Sequence, residues 1–137
     1  MNSRTLSVSI AAPAAAVYEF ASNPLNLPKW ARGLCTSIEK VGGTWIGQGA
    51  MGQVKIEFVE PNHLGILDHM VTLPFGQRVM VPIRVHARGS GSEVVFTLNP
   101  LPGMTEAQIA ADARLVMKDL DALKRAVEAL PTTGPST

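Results

Sequence analysis

The segment from Thr105 to Leu130 constrains the fold more than any other. Ile109, Ala113, Val116, Leu120, Leu123, Val127 and Leu130 recur there at alternating spacings of four and three. That spacing lays one apolar stripe along a helix of about seven turns, roughly 39 Å long. Thr105-Glu106-Ala107-Gln108 reads as its capping box, with Thr105 as cap and Gln108 reaching back. The residues between an N-terminal helical stretch and this helix read as short strands of period two. A long helix with one apolar face, following a run of strands, must lie across a sheet. If the sheet curves, the space between the two can be hollow.

The chain has 137 residues, 46% of them hydrophobic, which is enough for one domain with a substantial core. We place that domain at 1–130 and expect the tail 131–137, which lacks core-forming residues, to be mobile. The net charge of +1, with both signs interspersed, argues against a nucleic-acid surface. Cys35 is the only cysteine, so an internal disulfide and a multi-cysteine zinc site are excluded, and a reducing cytoplasm is the expected compartment. Pro13, Tyr18 and Glu19 interrupt the Ala-rich stretch after Arg4, so no signal-peptide core is expected. No stretch approaches the roughly 20 apolar residues of a membrane span.

Leu6, Val8 and Ile10 alternate with Thr5, Ser7 and Ser9 as a half-buried first strand. Pro13 suits the start of a helix over 14–21, which Asn23-Pro24 ends. Asn26 is placed to cap a second short helix over 27–31, closed by Gly33. Turn residues then divide strands at 36–41, 44–49, 53–60, 64–73, 77–88 and 93–99. A loop at 74–76 pairs His69 with Val81 and Val71 with Val79. A two-residue loop at 90–91 pairs Val85 with Phe96 and sets Arg88 opposite Glu93. A turn at Pro61-Asn62 pairs Ile56 with Leu67 and Val54 with His69. Each choice gathers the apolar residues on one face, and a slip of one residue would invert it.

His69 is the polar exception on that inner face. A neutral imidazole there can orient a polar ligand group or act as a base; the alternative is a core histidine satisfied by a carbonyl. Asp68 has the opposite phase and is expected to pair with Arg84 on the surface. Trp30 could flank a cavity mouth, and Trp45 starts a strand. Gly47, Gly49 and Gly52 lack the spacing and the lysine of a phosphate loop and read as bends. His63 and His86 do not converge with His69, so no metal site is expected. Cys35 has no activating neighbour, and no nucleophilic triad is visible.

The order strand, two short helices, six strands and long helix accompanies three local sequences. They are Ile10-Ala11-Ala12-Pro13 through Val17-Tyr18, Asn23-Pro24-Leu25-Asn26-Leu27-Pro28-Lys29-Trp30, and Asp119-Leu120-Asp121-Ala122-Leu123-Lys124. With these, residues 4–130 resemble the START-like (SRPBCC) superfamily, the helix-grip fold of birch-pollen allergens and polyketide cyclases. Gly65-Ile66-Leu67-Asp68-His69 and Gly91–Leu98 resemble a bacterial polyketide cyclase or dehydrase-like subgroup. The resemblance implies an α+β domain, a curved antiparallel sheet of about seven strands gripping the long helix. It also implies lipids, sterols, hormones or aromatic polyketides as ligands in the hollow, with only some members being enzymes.

The expected function is binding of a small hydrophobic or aromatic metabolite between the sheet and the N-terminal half of the last helix. Ile56, Phe58, His69, Val81, Ile83 and Phe96 would line the sheet side. Ile109, Ala113, Val116 and Met117 would line the helix side, with Trp30 near the mouth. No cofactor, metal, nucleic acid or membrane span is expected. A cyclase or dehydratase using His69 as general acid–base is the alternative. A filled core acting through its surface or as a homodimer is the third reading.

Overall fold

The computed structural model describes residues 3–49 and 52–130; the expected mobile tail at 131–137 lies outside them. Strand β1 (Arg4–Ile10) leads through Pro13 into α1 (Ala14–Ala21), then a 3-10 turn (Pro24–Asn26) and α2 (Leu27–Trp30). Strands β2 (Ser37–Val41), β3 (Thr44–Gly49), β4 (Gly52–Phe58), β5 (His69–Thr72), β6 (Arg78–Val81), β7 (Ile83–Arg88) and β8 (Gly91–Leu98) follow. Helix α3 (Glu106–Glu128) closes the described chain. The architecture is α+β and antiparallel throughout, ordered β1-β8-β7 in one sheet and β2-β3-β4-β5-β6 in the other.

Eight strands stand where about seven were expected, because the segment 77–88 is two strands. Pro82 has no N–H for the ladder and interrupts it. Strand β6 therefore ends one sheet and β7 edges the other. Several hydrogen bonds link the two sides of the break. Ile83 N–H donates to Asp68 Oδ1 at 3.0 Å, Leu67 N–H to Ile83 O at 2.8 Å, and Thr97 N–H to Pro82 O at 3.0 Å.

The expected faces hold, while two registers move by even steps. Pairs His69–Val81 and Val71–Val79 are as read. In the β7–β8 hairpin the turn is Gly89-Ser90, so Ile83 faces Phe96 and Val85 faces Val94. Arg88 now lies diagonal to Glu93, yet the two still form an ion pair at 3.0 Å. Ile56 faces Val71 instead of Leu67, and His69 faces Phe58 instead of Val54.

The β4–β5 connection is wide because Asn62 organises it. Its Nδ2 donates to the carbonyls of Glu60 and Ile66, its Oδ1 accepts from the N–H groups of Leu64 and Ile66, and its own N–H donates to the Tyr18 hydroxyl. Gly65 adopts φ +74° against β7, where a Cβ would collide with Val85 O. The expected strand 64–73 is thus a strand only from His69.

Helix α3 carries the full capping box: Gln108 N–H donates to Thr105 Oγ1 and Thr105 N–H to Gln108 Oε1. Leu120, Leu123 and Val127 are buried in the main core, whereas Leu130 is exposed past the helix end. Asn26 does not cap α2 with its side chain, which instead donates to Phe20 O; Asn23 caps the preceding turn by accepting from Leu25 N–H.

Candidate ligand cavity

Beyond α2, the chain at 31–36 presses onto β3. A Cβ at Gly47 would lie 2.8 Å from Cys35 Cβ, and one at Gly49 would lie 2.7 Å from Leu34 O. These glycines serve close approach of two chain segments, in addition to any bending of the strand. Gly47 lies between Cys35 and Ile56, and Ile56 is core and not cavity wall. Cys35 is fully buried, and burial pushes its thiol up to about 11, leaving it unreactive.

Between the sheet and α3 lies a cavity of about 310 Å³. Strands β5 and β6 supply His69, Val71, Val79 and Val81, and Ile83, Phe96 and Leu98 continue the wall onto the other sheet. Helix α3 closes it with Asp112, Leu115, Val116, Asp119 and Leu120. Exposed Gly33, Asn99 and Leu115 lie where the cavity reaches the surface.

Of the residues expected to line a site, Trp30, His69, Val81, Ile83, Phe96 and Val116 meet in this cavity. Ile56, Phe58, Ile109, Ala113 and Met117 do not. Phe58 packs its ring on His69 at 4.8 Å, behind the wall. Ile109 is buried outside the main core cluster, Ala113 is half-buried, and Met117 is 37% exposed because it lies off the inward face. Trp30 is only 3% exposed, so it is a deep wall residue and not a mouth residue; its Nε1–H finds no acceptor among the described residues. Trp45 sits elsewhere, under Lys40 at 5.6 Å.

Asp112 and Asp119 were missed because only apolar positions were counted along the helix, and Leu115 because it lies off the stripe that was counted. Their spacing of three and four puts them beside Val116 and Leu120 on one face. Asp119 Oδ2 accepts from Gly33 N–H at 3.2 Å. Burial raises its carboxyl to about 6, against the lowering effects of that bond and of Lys118.

His69 is 3% exposed, and its Nδ1 lies 3.1 Å from Leu67 O. A carbonyl only accepts, so Nδ1 carries the proton and Nε2 keeps its lone pair. Burial lowers its pKa below the ordinary 6.5, outweighing the Leu67 bond and the charge of Asp68. The ring is therefore a neutral acceptor or base at physiological pH. His69 is thus a carbonyl-satisfied histidine that also forms cavity wall. No group of three or more metal-binding side chains occurs among the described residues, and no described helix is long and apolar enough to cross a membrane.

A curved antiparallel sheet closed by one long helix over an apolar cavity defines a helix-grip domain. The chain belongs to the family described as polyketide cyclase / dehydrase and lipid transport, whose model matches residues 1–128. No curated protein matches it in sequence. Its fold is similar to that of XoxI from Bacillus cereus, at 16% identity and TM-score 0.72, covering 94% of this chain and 97% of that one. It is similar to the Zhui aromatase/cyclase from Streptomyces sp. R1128, at 15% identity and TM-score 0.70, covering 97% and 98%. Ara h 8.0201 has the same fold at 13% identity and TM-score 0.67, covering 94% and 99%.

Proposed function

We propose that the protein binds a small, largely apolar metabolite in the cavity between the sheet and α3. The observation that carries this reading is an unfilled space of about 310 Å³ walled mainly by Val71, Val79, Val81, Ile83, Phe96 and Val116. That volume is at the lower end of small-molecule sites. Apolar burial supplies most of the affinity, at about 25 cal/mol per Å² before ordering costs. His69 Nε2 orients the ligand by accepting one hydrogen bond. The open space argues against a filled core that acts only through its surface.

Titration with the neutral dye N-phenyl-1-naphthylamine, with native mass spectrometry of gently purified protein, tests the reading. The expected result is saturable fluorescence that Val81→Trp, which fills the space, abolishes. No binding by wild type, together with a bare apo mass, defeats it.

A second reading, a cyclase or dehydratase using His69, is favoured by the fixed tautomer. The bond to Leu67 leaves Nε2 free to take a proton. Here turnover of polyketide-like substrates should be lost in His69→Gln, whereas a binding protein shifts only its affinity.

A further inference from the structure

The charges of the cavity wall are all of one sign. Asp112 and Asp119 line it, His69 is neutral, and no lysine or arginine is among the lining residues. Asp119 carries a single hydrogen bond among the described residues, from Gly33, which leaves Oδ1 without a donor. Asp112 has no ion-pair partner among the described residues. Lys118 and Arg114 on α3 and Arg32 beside Gly33 are all exposed and outside the lining.

We propose that the cavity selects an apolar ligand bearing a hydrogen-bond donor, a hydroxyl or an ammonium, set against the Asp119 carboxylate, and that it rejects carboxylates. This rests on the cavity being a ligand site and adds the chemistry of what enters it. A partly buried carboxylate with one protein donor leaves its other oxygen to solvent, and burial has already raised the group to about 6. A donor on the ligand takes the place of that solvent, and hydrogen bonds to a charged acceptor are the stronger kind. An incoming carboxylate instead meets two like charges in a space of low polarity, where repulsion is poorly screened. His69 Nε2 also only accepts, so it reinforces the same preference. The Trp30 Nε1–H, unpartnered among the described residues, is buried beneath the cavity surface, where it offers an incoming carboxylate no bond. Of the groups facing Asp119, Asp112 on its own helix and His69 across the cavity offer no positive charge at neutral pH. Lys118 acts on it only from outside the lining.

One ring system with four head groups tests this: naphthalene, naphthol, naphthylmethylamine and naphthoate, titrated at about pH 8, where Asp119 is ionised. Naphthol or naphthylmethylamine should bind about tenfold tighter than naphthalene, and naphthoate about tenfold weaker. A hydroxyl preference and an ammonium preference are told apart by which of the two leads. Asp119→Asn keeps an acceptor for Gly33 N–H and should bring the naphthoate and naphthylmethylamine affinities to within about threefold of naphthalene. Should that variant not fold, wild type at about pH 5, with Asp119 protonated, should lose most of the naphthylmethylamine advantage. Naphthoate binding as tightly as naphthol, as pairing with Arg32 or Arg114 at the mouth would give, overturns the proposal while leaving the ligand site intact. Silence from every probe, naphthalene included, removes the ligand site and this selectivity together.

Discussion

Arg84 grips the Asp68 carboxylate through two hydrogen bonds, Nε to Oδ1 at 3.1 Å and Nη2 to Oδ2 at 2.9 Å, beside the break in the sheet at Pro82. The same Oδ1 accepts from Ile83 N–H, standing in for a strand partner. Burial alone would raise this carboxyl, but Arg84 and the Ile83 N–H together bring its pKa below the usual value. Asp68→Ala leaves a part-buried N–H unpaired and should cost about 2 kcal/mol in urea unfolding. Arg84→Ala removes only the exposed half of the pair and should cost about 0.5 kcal/mol. Equal losses would reduce the arrangement to an ordinary surface ion pair.

His69 sets an acid limit. Burial favours its neutral form in the folded state, so the unfolded chain takes up the proton first as pH falls. The associated stability is complete above 6.5 and drains away as pH drops through the lower folded value. Melting temperatures of His69→Gln should lack this fall. A parallel loss in the variant would assign it to other groups.

Asp119 acts in the other direction. Its carboxyl, raised to about 6, keeps a proton that the unfolded chain releases near 3.8. Stability from this residue is complete below 3.8 and is lost as pH rises through 6. Above that point Asp119→Asn should be more stable than wild type by on the order of 1 kcal/mol, allowing for solvent screening of a part-exposed group. A variant less stable than wild type at alkaline pH would show that the ionised carboxylate is well satisfied.

Gly47→Ala tests the contact between β3 and the chain that follows α2. The new methyl would meet Cys35 Cβ at 2.8 Å, and neither atom is the far end of a flexible chain. The expected cost is about 1–3 kcal/mol. Because the clash is with Cβ, Cys35→Ala should not rescue it. Rescue would mean that the sulfur is the obstacle.

The inside and outside of the sheet were legible because a period of two survives even register shifts. The β7–β8 pairing moved by two residues and the β4–β5 pairing by four, and His69, Val71, Ile83 and Val85 kept their faces. The β7–β8 register goes with a turn at Gly89-Ser90, where Gly89 has φ +60°, and the β4–β5 register with side-chain chemistry. Asn62 holds a wide loop through five hydrogen bonds, and periodicity carries no trace of it. Pro82 was visible, but its consequence depends on whether its missing N–H falls inside a ladder. On α3, apolar spacing found the residues that pack and passed over Asp112 and Asp119. A cavity wall keeps polar residues that a core would expel. Ile56 and Phe58 were on the correct face, yet Ile56 lies beside Gly47 and Cys35, and the path of the chain at 34–35 is encoded by no strand pattern.

The break at Pro82 makes the chamber's wall two panels meeting at a seam. Val81 belongs to one panel and Ile83 to the other, and both touch the hollow. A continuous sheet widens only by bending every rung, whereas a seam concentrates the change in the few bonds that cross it. The chamber can therefore be refitted for bulkier or slimmer guests by substitutions along that line, with each panel's own pairing untouched.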